Sequence, residues 1–336
     1  MKAQLRTHAS VRRVTVLFLS LAALAAAAVA VAPAQAAFPG KAGPIAYEHI
    51  FLRESGIHDA IFLHGPRLRD HPRRLAGGDN GGEPAFSPNG RLIAFTATGE
   101  AANPARSHVF VMKVDGTGVR QLTSGPESDA GPAFSPDGKQ IVFSRRTTLT
   151  GHLSHLFVVN ADGTGLRQLT SGPKSDTEPV FAPDGRSIAF VSNRASSSGR
   201  DRTDIFTMSP TGTNLRVLIN GPTRDEQPDF SPNGKSIAFA SDRNAGPNIF
   251  IAHANGSHPR QITHSRRGCT SGACYEDPSW APDGKHIAYI ARGRFASDLQ
   301  VMRPDGTGGK TFSEDGTEEE GFGNGNDAPA WGPAPR

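Results

Sequence analysis

Nine carboxylates carry whatever chemistry this chain could do: Glu83, Asp129, Asp176, Glu178, Asp225, Glu226, Glu276, Asp277 and Asp327. Each lies just ahead of a short apolar run that recurs along the sequence. If those runs surround an axis, the acids ring the mouth of a central channel. Carboxylates converging there can hold Ca²⁺ through its oxygen ligands; no cofactor is expected, with Ca²⁺ in the channel as the alternative. They can also serve as acids and bases of a hydrolytic or carbohydrate-active enzyme. The plainer role is to cap turns and accept hydrogen bonds from neighbouring backbone amides. Their uneven placement within the repeat favours that role, and no catalytic residue is assigned.

Histidine and cysteine add little. His108 and His155 occupy equivalent positions at the start of a third strand, where other units have Asp59, Asp204, Asn248 and Asp298. A polar residue recurring there is expected to bond a neighbouring unit's backbone, since no metal-ligand spacing is present. Cys269 and Cys274 sit in Cys-Thr-Ser-Gly-Ala-Cys. In an exported chain this reads as a local structural disulfide; a metal or redox pair is the alternative, without Cys-x-x-Cys spacing to support it. Phosphate loop, dinucleotide fingerprint and zinc-protease helix are all missing. The run Glu318-Glu319-Glu320 reads as a solvated loop.

The elements that must position the acids are set by a box. Phe134-Ser135-Pro136-Asp137-Gly138 recurs as Phe86-Ser87-Pro88-Asn89-Gly90, Phe181-Ala182-Pro183-Asp184-Gly185, Phe230-Ser231-Pro232-Asn233-Gly234 and Trp280-Ala281-Pro282-Asp283-Gly284. A clipped copy, Trp331-Gly332-Pro333, ends the series, and successive boxes start 48, 47, 49, 50 and 51 positions apart. So steady a period means stacked units of one design. Pro at i+1, Asp or Asn at i+2 and Gly at i+3 is type I turn chemistry. Within a unit, four short apolar runs are separated by Gly, Pro, Asn and Asp, the pattern of strands and hairpins. The second runs, such as Ile93-Ala94-Phe95 and Ile237-Ala238-Phe239, are apolar on both alternating sides, so each sheet must be covered on both faces.

Four strands per unit of about 50 residues, covered on both faces, predict the blades of a β-propeller. The chain opens on a second strand, Ile45-Ala46-Tyr47, and closes on a lone first strand, Ala328-Pro329-Ala330-Trp331. The expectation is an all-β, six-bladed propeller with four-stranded blades. Its ring is closed by the C-terminal strand completing the N-terminal blade, which removes open sheet edges. One domain, 37–336, is expected. The loops joining strands two and three (Glu48–Asp59, Ala97–Ser107, Arg145–Ser154, Asn193–Thr203, Asp242–Pro247 and Arg292–Ser297) and the crossovers share one face. The tight turns share the other. Variable loops on a rigid ring are where recognition surfaces are built.

Residues 1–36 stand apart. Lys2, Arg6, Arg12 and Arg13 precede an apolar Val14–Val31 core, and Ala34-Gln35-Ala36 is a small-x-small cleavage site: a secretory signal peptide, cut at Ala36 or Ala37. An uncleaved anchor is the alternative, the apolar run being near the lower limit for a span. The expected location is extracellular or cell-envelope/periplasmic, with no membrane insertion after cleavage. Four of the 36 Lys and Arg and none of the 32 Asp and Glu fall in this leader. The remainder is neutral, 32 basic against 32 acidic residues. That balance argues against nucleic acid as a partner.

The string Glu178-Pro179-Val180-Phe181-Ala182-Pro183-Asp184-Gly185-Arg186-Ser187-Ile188-Ala189-Phe190 resembles the PD40 repeat of TolB-like β-propellers. Ser241-Asp242-Arg243 ahead of Asn248-Ile249-Phe250, and Asp162-Gly163-Thr164, resemble it too. The resemblance runs over about residues 43–333. It implies the propeller fold. It leaves function open, because the repeat occurs in periplasmic TolB, in propellers attached to prolyl-oligopeptidase-type enzymes and in some polysaccharide lyases. TolB carries an additional N-terminal α/β domain, for which the sequence before the first strand has no room, so a Tol–Pal role is not expected. The peptidase relatives carry Gly-x-Ser-x-Gly, which this sequence lacks. The reading is a non-catalytic, monomeric exported module that binds a protein, peptide or glycan through its loop face. The alternative is a secreted carbohydrate-active or hydrolytic enzyme with a site at the channel mouth.

Overall fold

A computed structural model describes residues 37–53, 56–65, 71–98, 106–147, 153–195, 202–244, 246–265, 274–293, 297–311 and 325–334; the side chains of 51–53, 56–57 and 325–328 are not described. The leader, residues 1–36, and Cys269 lie outside the described residues, as does Glu318-Glu319-Glu320.

Strands follow the repeat. Blade one holds β1 (Ala42–Arg53), β2 (Gly56–His64) and β3 (Arg73–Asp79). Blade two is β4 (Gly81–Phe86), β5 (Leu92–Thr98), β6 (Ser107–Lys113) and β7 (Arg120–Gln121). Blade three is β8 (Ser128–Phe134), β9 (Gln140–Arg146), β10 (Ser154–Asn160) and β11 (Arg167–Gln168). Blade four is β12 (Asp176–Phe181), β13 (Ile188–Ser192), β14 (Asp204–Met208) and β15 (Arg216–Ile219). Blade five is β16 (Asp225–Phe230), β17 (Ser236–Ser241), β18 (Asn248–His253) and β19 (Arg260–Gln261). Blade six is β20 (Cys274–Trp280), β21 (Ile287–Arg292), β22 (Ser297–Met302) and β23 (Lys310–Thr311). The last strand, β24 (Gly325–Pro333), joins β1 to give blade one the order β24-β1-β2-β3. All six sheets are four-stranded and antiparallel, and the ring closes through the C-terminal strand, with Ile45 opposite Trp331 and Ala46 opposite Ala330.

The box makes the turn it encodes. In each complete copy the Gly N–H donates to the carbonyl three residues back, Gly138 to Ser135 at 2.8 Å and Gly185 to Ala182 at 2.9 Å. The Asp137 carboxylate accepts from the Ser135 hydroxyl and the Lys139 amide, at 2.6 and 3.0 Å, and so fixes the loop. Both alternating sides of the second strands are buried, as in β13, where every residue is buried. Their aromatic residues stack on the third strand: Phe95 on Phe110 and Phe239 on Phe250 at 5.6 Å, Phe143 on Phe157 and Phe190 on Phe206 at 6.0 Å. Such pairs add roughly 0.5–1.5 kcal/mol each beyond burial.

Neighbouring blades are stitched at the rim. Arginines at the head of the outer strands donate to the next blade's tight turn: Arg73 to the Val114 carbonyl at 3.0 Å, Arg120 to Ala161 at 2.7 Å and Arg260 to Pro304 at 2.9 Å. One expectation fails. The loop placed at Glu48–Asp59 is mostly strand, because the β1–β2 ladder runs on to Arg53 opposite Gly56. The segment His49-Ile50-Phe51-Leu52 keeps strand-forming residues with no Gly or Pro to break the pairing.

Candidate functional site

The innermost strand of each blade carries the acids, and counting back from the box aromatic sorts them into three positions. Five residues before it stand Asp129, Asp176 and Asp225, all fully buried. Each meets an arginine from the end of the second strand in its own blade. Arg145 grips Asp129 with Nε at 2.6 Å and Nη2 at 2.9 Å. Nη2 of Arg194 reaches Asp176 Oδ2 at 2.6 Å, and Nη2 of Arg243 reaches Asp225 Oδ1 at 2.6 Å. Each guanidinium also lies over its blade's stacked Phe pair, Arg243 at 5.4 Å from Phe239 and 5.1 Å from Phe250. A partly desolvated cation on an aromatic face is favourable, so acid, arginine and two rings form one unit. Burial raises the Asp225 carboxyl, against the pull of Ser241 and Arg243.

Four residues before the aromatic stand Glu226, Glu276 and Asp327. Glu226 accepts from the Thr203 hydroxyl at 2.8 Å, and Glu276 from Arg292 Nε at 3.1 Å. Asp327 is opposite Glu48 in the β24–β1 ladder, and its side chain is not described. Burial first, then the charges of Asp242 and Glu276, push Glu226 up; Asp242 is raised by burial and by Glu276 and Asp225, while Arg224 pulls both down. The half-buried Glu226, Asp242 and Glu276 and the exposed Arg224, from blades five and six, thus bear on one another's charge. Asp242 and Arg224 were not among the sequence candidates.

Three residues before the aromatic lies the most regular feature. Glu83, Glu178, Gln227 and Asp277 adopt φ of 53°, 52°, 57° and 53°, and Gly131 has φ 64° at the same place in blade three. A register shift marks a bulge there in every one of these strands. The bulge frees a backbone N–H from the ladder, and at three of the five positions the preceding blade's side chain accepts it. Glu83 Oε2 takes the Gly131 N–H at 2.7 Å, Glu178 Oε2 the Gln227 N–H at 2.7 Å and Gln227 Oε1 the Asp277 N–H at 2.9 Å. Glu83 also accepts from the Thr96 hydroxyl at 2.8 Å. Burial pushes Glu83 up to about 7. Glu178 is raised well above the usual carboxylate range by burial and by the charges of Glu226, Asp277 and Glu83. Gln227 was missed from sequence; a Gly at the equivalent position of blade three was the available sign that this site needs a left-handed backbone.

Elsewhere two of the third-strand polar residues, Asn248 and Asp204, turn toward their own blade. Asn248 Oδ1 accepts from the Ser265 N–H at 2.7 Å, and Asp204 Oδ1 from the Gly221 N–H at 3.4 Å. For these two the expected bonds to a neighbouring blade are corrected: the crossover leaving the outer strand brings its amides within reach of the same sheet. His108 Nδ1 stands 3.7 Å from Asp129 Oδ2. Cys274 is buried at the head of β20, where its expected link to Cys269 would reach into undescribed residues. Among the described residues no three of His, Cys, Asp and Glu are grouped to hold a metal ion.

Comparison with known proteins agrees with this architecture. The family model PD40, the TolB beta propeller domain, matches residues 195–335. TolB from Acinetobacter baumannii superposes with a TM-score of 0.69 at 20% identity, over 87% of this chain and 67% of that one. A putative TolB from Agrobacterium tumefaciens gives 0.60 at 19%, over 84% and 91% of the two chains. The Kuenenia stuttgartiensis hydrazine synthase gives 0.68 at 15%, over 89% of this chain and 48% of that one. At such identities the likeness is one of fold. No curated protein sequence matches the chain.

Proposed function

We propose that this TolB-like β-propeller, PD40 by family over residues 195–335, is an exported binding module without catalytic activity. Its partner, a protein, peptide or glycan, would dock on the face that carries the inter-strand loops and crossovers. The observation carrying this reading is the engagement of the inner-strand acids. Asp129, Asp176 and Asp225 face arginines of their own blades, while Glu83 and Glu178 accept amides of the next. A general acid or nucleophile needs reach to a substrate atom, and these groups are directed at the ring itself. The opposite face is uniform, its turns closed by their own side chains. Surface that differs from unit to unit suits recognition, and the interacting charges of Glu226, Asp242, Glu276 and Arg224 would supply a charged patch for it. The leader's composition supports export to the envelope or beyond. A Cys269–Cys274 disulfide would then staple the crossover into β20.

Affinity capture from envelope extract and a glycan array, run in parallel with peptide and glycan turnover assays, test this. A specific ligand should lose binding in D242A/E276A and keep it in the turn-face variant K139A. Turnover that disappears in D176N would instead favour a channel-mouth enzyme. Stoichiometric Ca²⁺ in the purified protein would place the cation among the ligands of that mouth.

A further inference from the structure

The residues just ahead of β1 cross the turn-face end of the ring. Ala37 is buried among Ala238, Trp280 and Ile287 of blades five and six. Phe38 is buried among Ala85, Phe134 and Ile141 of blades two and three, on the other side of the axis. The Ala37 N–H donates to the Phe230 carbonyl at 3.3 Å, and the Gly40 N–H to the Pro282 carbonyl at 3.1 Å. These residues therefore have a fixed path, with both side chains and two amides accounted for.

At the start of that path lies an acid the repeat does not explain. Asp229 precedes the box aromatic Phe230, where the other blades have Ala85, Ala133, Val180, Ser279 and Ala330. It is fully buried. Its Oδ2 accepts the Trp280 N–H, and its Oδ1 has no hydrogen-bond partner. Burial raises the acid well above the usual range, against the pull of the Trp280, Ala37 and Phe230 N–H groups. None of the ion pairs among the described residues includes Asp229. A buried carboxylate without a counter-charge is strongly unfavourable, and the one main-chain nitrogen beside it that can become a cation is that of Ala37.

We propose that hydrolysis of the Ala36–Ala37 peptide bond during export delivers the Ala37 α-ammonium to Asp229, so the mature chain's own N-terminus is the counter-ion of this buried acid. Water adds across the bond; Ala36 departs with the new carboxylate, and the Ala37 amine takes up a proton at neutral pH. Three N–H donors then replace one. The Phe230 carbonyl keeps its bond, and Asp229 Oδ1 gains a donor. The register is strict. A cut one residue later would place the charge on Phe38, whose ring is seated across the axis, and one extra residue would carry the charge about 3.5 Å away along the chain. The inference uses the export reading but not the binding role.

N-terminal sequencing and intact mass of the exported protein come first. The expected start is Ala37. A chain cut elsewhere overturns the proposal alone; an uncut chain overturns the export reading with it. Reductive methylation at neutral pH then probes the amine in the wild-type mature protein. Its α-amine should be modified at least about tenfold more slowly than in the urea-unfolded chain, as for a group exposed only by local opening. Equal rates overturn the proposal. Finally, a variant with one extra Gly ahead of Ala37 should melt several degrees lower, and in the D229N background the same Gly should change nothing. An equal loss in both backgrounds means packing rather than charge, and overturns it.

Discussion

The Trp331 indole N–H donates to the Gly43 carbonyl at 3.0 Å, joining residues 288 positions apart. The Trp331 backbone N–H donates to the Ser279 hydroxyl of blade six at 3.1 Å. A Cβ on the next residue, Gly332, would come within 2.5 Å of the Phe86 ring in blade two. One strand end thus touches both neighbours of the blade it completes.

Trp331 should consequently govern the stability of the whole ring. Trp331→Ala removes a large buried side chain and should cost about 3–5 kcal/mol. Trp331→Phe keeps most of the packing but leaves the Gly43 carbonyl without its donor, at about 1–2 kcal/mol. Urea unfolding read by far-UV circular dichroism orders the two. Equal losses would mean that the indole hydrogen bond has no part in closure.

Glu83 sets an unusual pH dependence. Its carboxyl is raised from 4.5 to about 7 in the folded chain, chiefly by burial. The folded state therefore holds a proton that the unfolded state releases between those values. Stability falls as pH rises through that window and levels off above it, by at most about 3 kcal/mol for this one group. Glu178 acts in the same direction. The turn acids Asp115, Asp137, Asp162 and Asp305 are lowered by their hydroxyl and amide donors, so they act oppositely, losing their contribution only as pH drops below 3.8. Glu83→Gln keeps an acceptor for the Gly131 amide and drops the charge. Denaturant midpoints from pH 4.5 to 7.5 should show a shallower decline in this variant; an unchanged slope would assign the effect elsewhere.

How much of this was legible follows from how local each signal is. The Ser135–Gly138 turn is written in four adjacent residues, and the double-sided apolar pattern of Ile237-Ala238-Phe239 can only be buried on both faces. Ring closure was legible because the unit at Tyr47 lacked its first strand and Trp331 closed a lone first strand. The inter-blade belt was not. Glu83, Gly131, Glu178, Gln227 and Asp277 share a backbone conformation, not a residue type, so no repeat of letters marks them. Asp229 was hidden for a similar reason, since its companions Ala37 and Trp280 come from distant parts of the chain. The acids before each box stood out as a group, while the arginines they meet, Arg145, Arg194 and Arg243, looked like ends of variable loops.

The pair of Arg243 and Asp225 separates an ion pair from its packing. Arg243→Ala leaves Asp225 buried without its partner and should cost about 2–3 kcal/mol, below the fully buried case because the Arg243 side chain keeps 16% exposure. Arg243→Met restores contact with the Phe239 and Phe250 rings but not the charge. Adding Asp225→Asn to Arg243→Met removes the stranded anion and should recover more than half of that loss. A double variant no better than Arg243→Met would show that the rings, not the carboxylate, need the arginine.

Two glycines with the same left-handed backbone give the sharpest contrast. Gly234 closes a box turn at φ 66° with open space around a built Cβ, whereas Gly256, at φ 83°, would drive a Cβ into the Leu218 carbonyl oxygen of the preceding blade. Gly234→Ala should cost only the left-handed penalty, about 1–2 kcal/mol. Gly256→Ala adds a clash with backbone, which cannot rotate away, so blades four and five must separate and the loss should exceed about 4 kcal/mol. Thermal melts of the two variants test this directly. Matching melting points would mean that the turn of blade five can slide off the rim of blade four, and that the contact between these blades is looser than the close approach at Leu218 implies.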